Sequence, residues 1–260
     1  MKFKIACLQM DIAFGNPQEN YSTASRMIEK ASLQNPDIVV LPELWTTGYD
    51  LTNLNGTADE GAKEAKVFFR EAAVEHKSHF VGGSVANKTE AGIENTMLIY
   101  DKNGEFAGEY SKLHLFQLMD EHLYLSAGKE KGLFSLEGHK FAGLICYDIR
   151  FPEWVRAHVL QDVEALFIVA EWPIQRLEHW RALLIARAIE NQCYVIACNR
   201  AGSDPNNTFA GHSMIIGPWG DVIAEGGEGE EILFAEIDLG QVKEARSRIP
   251  IFADRRPELY

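Results

Sequence analysis

The sequence predicts an α/β fold of layered type, on three observations. Short apolar runs of strand length alternate with helical patterns along the 260 residues. Several neighbouring runs are joined by tight glycine turns, so hairpins are mixed with crossover helices, which disfavours an eight-fold β/α barrel. Hydrophobic residues make up 46% of the chain, enough for a large core, and Pro, Gly and Ser never cluster into a linker, so a single domain spanning 1–260 is expected.

In chain order, the run 3–9 is the first strand, and Pro17 opens a helix over 17–33. Asn35-Pro36-Asp37 leads into a strand at 37–41, closed by Pro42-Glu43-Leu44. A helix over 59–76 is followed by strands at 79–85 and 95–100. Lys102-Asn103-Gly104 turns the chain into 106–110, and Glu137-Gly138 joins 133–136 to 140–146. Pro152 starts a helix over 152–161, 165–170 is a continuous apolar strand, and 176–192 is helical. Strands at 193–199 and 213–216 follow, then Pro218-Trp219-Gly220-Asp221 turns into 221–224, and 231–237 completes the set.

The formal net charge of -13 repels phosphate backbones and anionic lipid, and no block of Lys and Arg offers a local exception, so neither nucleic acid nor a membrane surface is an expected partner. After Met1, Lys2 and Lys4 lead only into a short apolar stretch, which is no signal peptide and no bilayer span; a cytoplasmic protein is expected. Cys7, Cys193 and Cys198 lie in apolar strands and read as small buried hydrophobes. The eight histidines show no metal-ligand spacing, so no metal and no cofactor are expected.

Cys146 differs from the other cysteines. It closes the run Phe141-Ala142-Gly143-Leu144-Ile145 and opens Tyr147-Asp148-Ile149-Arg150-Phe151-Pro152-Glu153, and α/β proteins place reacting groups at the C-terminal ends of such strands. Glu43 stands at the end of another buried strand as a candidate base. Lys112, in Tyr110-Ser111-Lys112-Leu113-His114, stands just past the strand that ends at Tyr110, at the start of a loop, and is a candidate for holding developing negative charge.

In order and local context, Glu43, Lys112 and Cys146 resemble the Glu-Lys-Cys triad of the nitrilase superfamily of carbon-nitrogen hydrolases. The resemblance runs the whole length: Ala6-Cys7-Leu8-Gln9-Met10, Glu121-His122 with Tyr124 and Gly128, Ala186 to Asn191, Asn199-Arg200-Ala201-Gly202, and Gly211-His212-Ser213 running into Gly217-Pro218-Trp219-Gly220. It implies a four-layer αββα sandwich. It also implies that Glu43 takes the Cys146 proton, that Lys112 and the backbone N–H of Tyr147 hold the oxyanion, and that Glu121 supports Lys112 or orients substrate. The helix around Trp180 to Ile189 is apolar over more of its circumference than one buried face needs. Helices at this place form dimers in the resembled family, so a homodimer is expected, with cover by the chain's own tail as the alternative.

The segments 146–153, 121–124 and 170–173 resemble most the ω-amidase branch, whose members hydrolyse the terminal amide of 2-oxo-dicarboxylic monoamides such as 2-oxoglutaramate and 2-oxosuccinamate. The expected partner is thus a small-molecule amide. An N-carbamoyl amino acid hydrolase or another superfamily amidase is the alternative enzyme, and an inactive dimeric binding protein is the non-enzyme alternative. Arg150 follows Cys146 by one helical turn and is a candidate carboxylate clamp, although Asp148 and Glu153 compete for it. Trp172 is a candidate pocket wall or a core residue, and Tyr49 and Tyr124 are candidates for narrowing the entrance.

Overall fold

The computed structural model describes residues 1–259. Its strands in chain order are β1 (Lys2–Gln9), β2 (Ile38–Val40), β3 (Asp59–Glu60), β4 (His79–Thr89), β5 (Gly92–Tyr100), β6 (Phe106–Ser111), β7 (Leu133–Leu136), β8 (His139–Ile145), β9 (Ala165–Ala170), β10 (Tyr194–Asn199), β11 (Met214–Ile216), β12 (Val222–Glu225) and β13 (Glu231–Asp238). The helices are α1 (Pro17–Ser32), α2 (Leu54–Thr57), α3 (Lys63–His76), α4 (Glu121–Tyr124), α5 (Pro152–Val159), α6 (Leu177–Asn191) and α7 (Gly240–Arg248).

Two mixed sheets form. One runs β13-β1-β2-β4-β5-β6, with β3 added beside β4, and the other runs β12-β11-β10-β9-β8-β7. Each has a parallel centre, β1-β2-β4 in the first and β8-β9-β10 in the second, flanked by antiparallel strands. The parallel centre of the second sheet is buried on both faces, which is why β9 reads Ala-Leu-Phe-Ile-Val-Ala without alternation.

Period-two alternation decides which side of β1 faces which layer. Phe3, Ile5 and Cys7 join the core between the sheets with Phe141, Leu144 and Phe167, while Ala6, Leu8 and Met10 face the helices. Helix α1 meets them with Ala24, Met27, Ile28 and Ala31, a stripe at i, i+3, i+4 and i+7, and α3 adds Ala65, Phe69 and Ala73. Burial of Phe69 among Trp45, Phe68 and Phe80 stabilises by roughly 1.5–3 kcal/mol. On the far side α5 and α6 cover the second sheet through Val155, Val159, Trp180 and Leu184, which completes an αββα sandwich.

Several expected bounds shift. The helix expected from 59 begins at Lys63, because Asp59 and Glu60 pair in parallel with Asn87 and Lys88, and Asp59 Oδ2 accepts the Ala65 N–H at 2.9 Å. The strand expected to end at 85 continues to Thr89 as one arm of the β4–β5 hairpin. Helix α7 was not expected from the sequence: only Val242 and Ala245 of its nine residues are buried, too few to print a periodic pattern.

Candidate active site

Glu43, Lys112 and Cys146 each follow a strand, and local contacts fix each. Beyond β2, Pro42 O accepts the Ser84 N–H at 3.1 Å and Leu44 N–H donates to Ser84 Oγ at 2.9 Å. The approach requires glycine at Gly83, whose φ is +62° and where a Cβ would sit 2.2 Å from Pro42 O. Lys112 is held by its N–H donating to Asn95 O and its carbonyl accepting from Gly128, both at 2.9 Å.

Ile145 ends β8 in extended conformation, and Cys146 then takes φ +46°, a left-handed conformation costly for a residue with a Cβ, at the head of a 3-10 turn over Cys146–Arg150. Asp148 secures that turn. Its Oδ2 accepts from Ile145 N–H at 3.0 Å and from the Tyr110 hydroxyl at 2.7 Å, and its Oδ1 accepts from His114 N–H at 3.1 Å. One buried carboxylate thus ties the cysteine turn to the lysine loop.

The functional groups meet in a fully buried cluster. Lys112 Nζ lies 2.8 Å from Glu43 Oε1 and 2.5 Å from Glu121 Oε1. Glu43 Oε1 also accepts from Asn95 Nδ2 at 2.8 Å, and its Oε2 accepts the Glu171 N–H at 2.9 Å. Glu121 Oε2 accepts the Phe116 N–H at 2.6 Å. The Tyr49 hydroxyl is 2.5 Å from Glu121 Oε1 and 3.1 Å from Glu43 Oε1.

Burial drives the electrostatics. Burial alone would lower the Lys112 pKa, but the adjacent Glu121 and Glu43 carboxylates outweigh it and hold the ammonium charged, well above the ordinary lysine value. Burial raises Glu121 despite Lys112. It also raises the Cys146 thiol well above its ordinary value, with Glu43 adding to the effect both through its charge and as hydrogen-bond partner. At rest Cys146 is therefore a neutral thiol beside Glu43. Two of the three ammonium hydrogens of Lys112 point at carboxylates, which leaves the third for an incoming oxygen.

A narrow pocket opens onto Cys146, lined also by Phe116, Met119, Tyr147, Arg150, Glu171, Trp172 and Arg176. Arg150 lies over the Trp172 ring at 4.7 Å rather than on an acid: Asp148 is turned to Tyr110 and His114, and no ion pair to Glu153 forms. Trp172 is both core and wall, nearly inaccessible yet lining the pocket.

Two expectations are corrected. Tyr124 does not line the pocket: Glu121 and Leu125, four apart, face inward, which turns Tyr124 outward to 40% exposure. Tyr49 does not narrow an entrance but lies beneath it, between two carboxylates. Asn95, Glu171, Phe116 and Arg176 were missed. Asn95 left a trace, a polar residue heading an apolar strand; the others act through backbone groups or through tertiary proximity that no local pattern encodes. Among the described residues, no group of three His, Cys, Asp or Glu side chains is placed to hold a metal ion.

This combination of sandwich and buried acid-lysine-thiol cluster defines a class. The carbon-nitrogen hydrolase family model matches residues 4–247, and the chain belongs to that family. The chain is 58% identical, over 260 residues and the full length of both, to the 2-oxoglutaramate amidase of Bacillus subtilis (strain 168). It is 36% identical over 253 residues, 96% of each chain, to the omega-amidase YafV of Escherichia coli (strain K12). Among solved structures it is similar to XC1258 of Xanthomonas campestris, a CN-hydrolase superfamily protein, with a TM-score of 0.93, 31% identity and 98% of each chain covered. It is also similar to Nit3 of Saccharomyces cerevisiae, with a TM-score of 0.90, 27% identity, 100% of this chain and 97% of that one covered.

Proposed function

We infer that this protein is an ω-amidase: it hydrolyses the terminal carboxamide of a 2-oxo-dicarboxylic monoamide, such as 2-oxoglutaramate or 2-oxosuccinamate, to the carboxylate and ammonia. The observation that carries the chemistry is Lys112 Nζ held between Glu43 and Glu121 in a cluster with Cys146. The substrate rests on the likeness to the 2-oxoglutaramate amidase and on Arg150 at the pocket wall.

In this reading Cys146 Sγ attacks the amide carbon as Glu43 takes the thiol proton, so no free thiolate forms in the resting site. The carbonyl oxygen gains the negative charge and is held by the third hydrogen of Lys112 and the backbone N–H of Tyr147, donors worth ~3 kcal/mol each. Glu43 returns its proton to the departing nitrogen, ammonia leaves, and a thioester remains on Cys146. Glu43 then takes a proton from the water that attacks the thioester and gives it back to sulfur. Glu121 keeps Lys112 in place. Arg150 binds the distal carboxylate.

The reading treats 1–260 as one hydrolase domain and the chain as a homodimer. Support for the dimer is an exposed apolar set beside α6, Ile189, Trp219, Val222 and Ile223, each about two-fifths to one-half exposed. Gel filtration at working concentration should give twice the 29.2 kDa chain mass. A cytoplasmic setting goes with four free cysteines, which reducing surroundings keep as thiols.

Ammonia release from 2-oxoglutaramate, 2-oxosuccinamate, glutamine, asparagine, an N-carbamoyl amino acid and a simple nitrile tests the function, with Cys146→Ala as control. Preference for the 2-oxo amides, abolished in the control, is expected. Preference for the carbamoyl substrate would keep the cluster and change the substrate, and silence on the whole panel would return the protein to a binding role.

A further inference from the structure

Two guanidinium groups share the rim of the pocket. Arg150 and Arg176 line it together, Arg150 over Trp172 at 4.7 Å and Arg176 over Phe116 at 5.5 Å. Neither forms an ion pair among the described residues, in a chain of 38 acids and 25 lysines and arginines where Arg26, Arg181, Arg187, Arg200 and Arg248 all do. Arg176 is itself among the charged groups that act on Arg150, and the acid in the same lining, Glu171, is paired with Arg200 instead. Arg176 is moreover the N-cap residue of the 15-residue α6, the end of a helix where a cation is disfavoured. Trp172 Nε1 donates to Arg176 O at 2.8 Å, which fixes that backbone in place. Two cations facing one cavity repel each other unless an anion enters between them.

We propose that Arg176 is a specificity-determining residue which, with Arg150, makes the far end of the pocket a filter for 2-oxo acids against 2-amino acids. The inference rests on the ω-amidase reading for its substrate and deepens it. A 2-oxo acid brings to this rim a carboxylate and a carbonyl oxygen, and both accept guanidinium N–H bonds. The matching amino acid brings the same carboxylate with an ammonium group beside it. The one carboxyl among the lining residues, Glu171, is already engaged through Oε2 by Arg200 Nη1 at 2.6 Å, and the ammonium is repelled by both arginines; like-charge juxtaposition is how binding sites exclude a near-isostere. Arg150 alone can hold a carboxylate; a second cation is what makes a neighbouring ammonium costly.

Protection of Cys146 from iodoacetamide tests this without needing turnover. The probes are 2-oxoglutarate and glutamate, which differ only at the 2-position. Wild type should be protected by at least tenfold less 2-oxoglutarate than glutamate. Arg176→Met should bring the two within about threefold, while Arg176→Lys, which keeps the charge, should preserve most of the preference. Arg176→Gln serves as a second neutral variant, and equal thermal midpoints establish that the fold is intact. Unchanged preference in both neutral variants, or no preference in wild type, overturns the proposal. Ammonia release from 2-oxoglutaramate is measured alongside: if it is absent while the protection pattern holds, the reaction assignment fails and the filter stands.

Discussion

The backbone N–H of Glu171 donates to Glu43 Oε2 at 2.9 Å, joining the segment after β9 in one sheet to the turn after β2 in the other. The candidate base is thereby held from across the sandwich as well as from its own side. Glu171 is in turn fixed by its carboxylate, whose Oε2 accepts from Arg200 Nη1 at 2.6 Å, and Arg200 Nη2 reaches Ile12 O at 2.7 Å.

That arrangement predicts a pH dependence of stability. Burial pushes the Glu171 carboxyl up to about 8 from an ordinary value of 4.5, despite Arg200. Across that window the folded protein binds more protons at this site than the unfolded chain, so this contribution to stability falls as pH rises from about 4.5 to 8. Glu171→Gln does not titrate and removes the contribution. Urea midpoints at pH 5, 6.5 and 8 should therefore show wild type losing stability relative to the variant as pH rises. Parallel curves for the two proteins would rule the assignment out.

A neutral resting thiol makes a second prediction. Because the Cys146 pKa is raised well above its ordinary value, alkylation at neutral pH depends on Glu43 accepting the proton during attack. Labelling of Cys146 by iodoacetamide at pH 7 should slow by about 10²-fold or more in Glu43→Gln. In that variant the rate should climb about tenfold for each pH unit up to pH 9, since only the thiolate reacts. A rate that levels off below pH 7 in wild type would mean a preformed ion pair instead.

Asp148 offers a test of how the catalytic loops are joined. It accepts from Tyr110, His114 and Ile145 while fully buried. Asp148→Asn puts an NH2 group opposite at least one of these donors, which leaves buried polar groups unpaired. A loss of about 2–3 kcal/mol in unfolding free energy is expected from denaturant titration. Because Asp148 ties the Lys112 loop to the Cys146 turn, kcat should fall as well, and a loss of stability without any loss of kcat would show that the two loops keep their register independently.

Glu43 and Cys146 stand out in the sequence because each follows a buried apolar strand at the start of a polar turn, while Lys112, after the partly exposed β6, is singled out by the family resemblance. β7 and β9 fall at 133–136 and 165–170 as read, because turn residues or polar breaks bound both. Tyr49, Asn95 and Arg176 reach the site from separate segments, and only the closing of the two sheets brings them to it. Tyr124, a candidate for narrowing the entrance, closes the one-turn α4 with its side chain 40% exposed, and the chain then turns extended at Leu125, which is buried. Helix α7 shows the same limit on a larger scale, since a polar helix anchored by two small apolar residues gives no periodic signal.

Tyr49 separates a catalytic support from an entrance residue. Its hydroxyl carries one proton between two carboxylate oxygens, 2.5 Å from Glu121 and 3.1 Å from Glu43. Tyr49→Phe removes that proton and the oxygen while keeping the ring, so packing is nearly preserved. Glu121 then lacks one of its donors and draws more strongly on the Lys112 ammonium, at the expense of the hydrogen reserved for the substrate oxygen. That oxygen bears its full charge only in the transition state, so the loss should fall on kcat, by about tenfold or ~1.4 kcal/mol, with KM within twofold of wild type. A residue that merely narrowed the pocket mouth would shift KM and leave kcat alone. Steady-state ammonia release from 2-oxoglutaramate distinguishes the two, and Glu121→Gln, which removes the negative charge itself, should reduce kcat further than Tyr49→Phe.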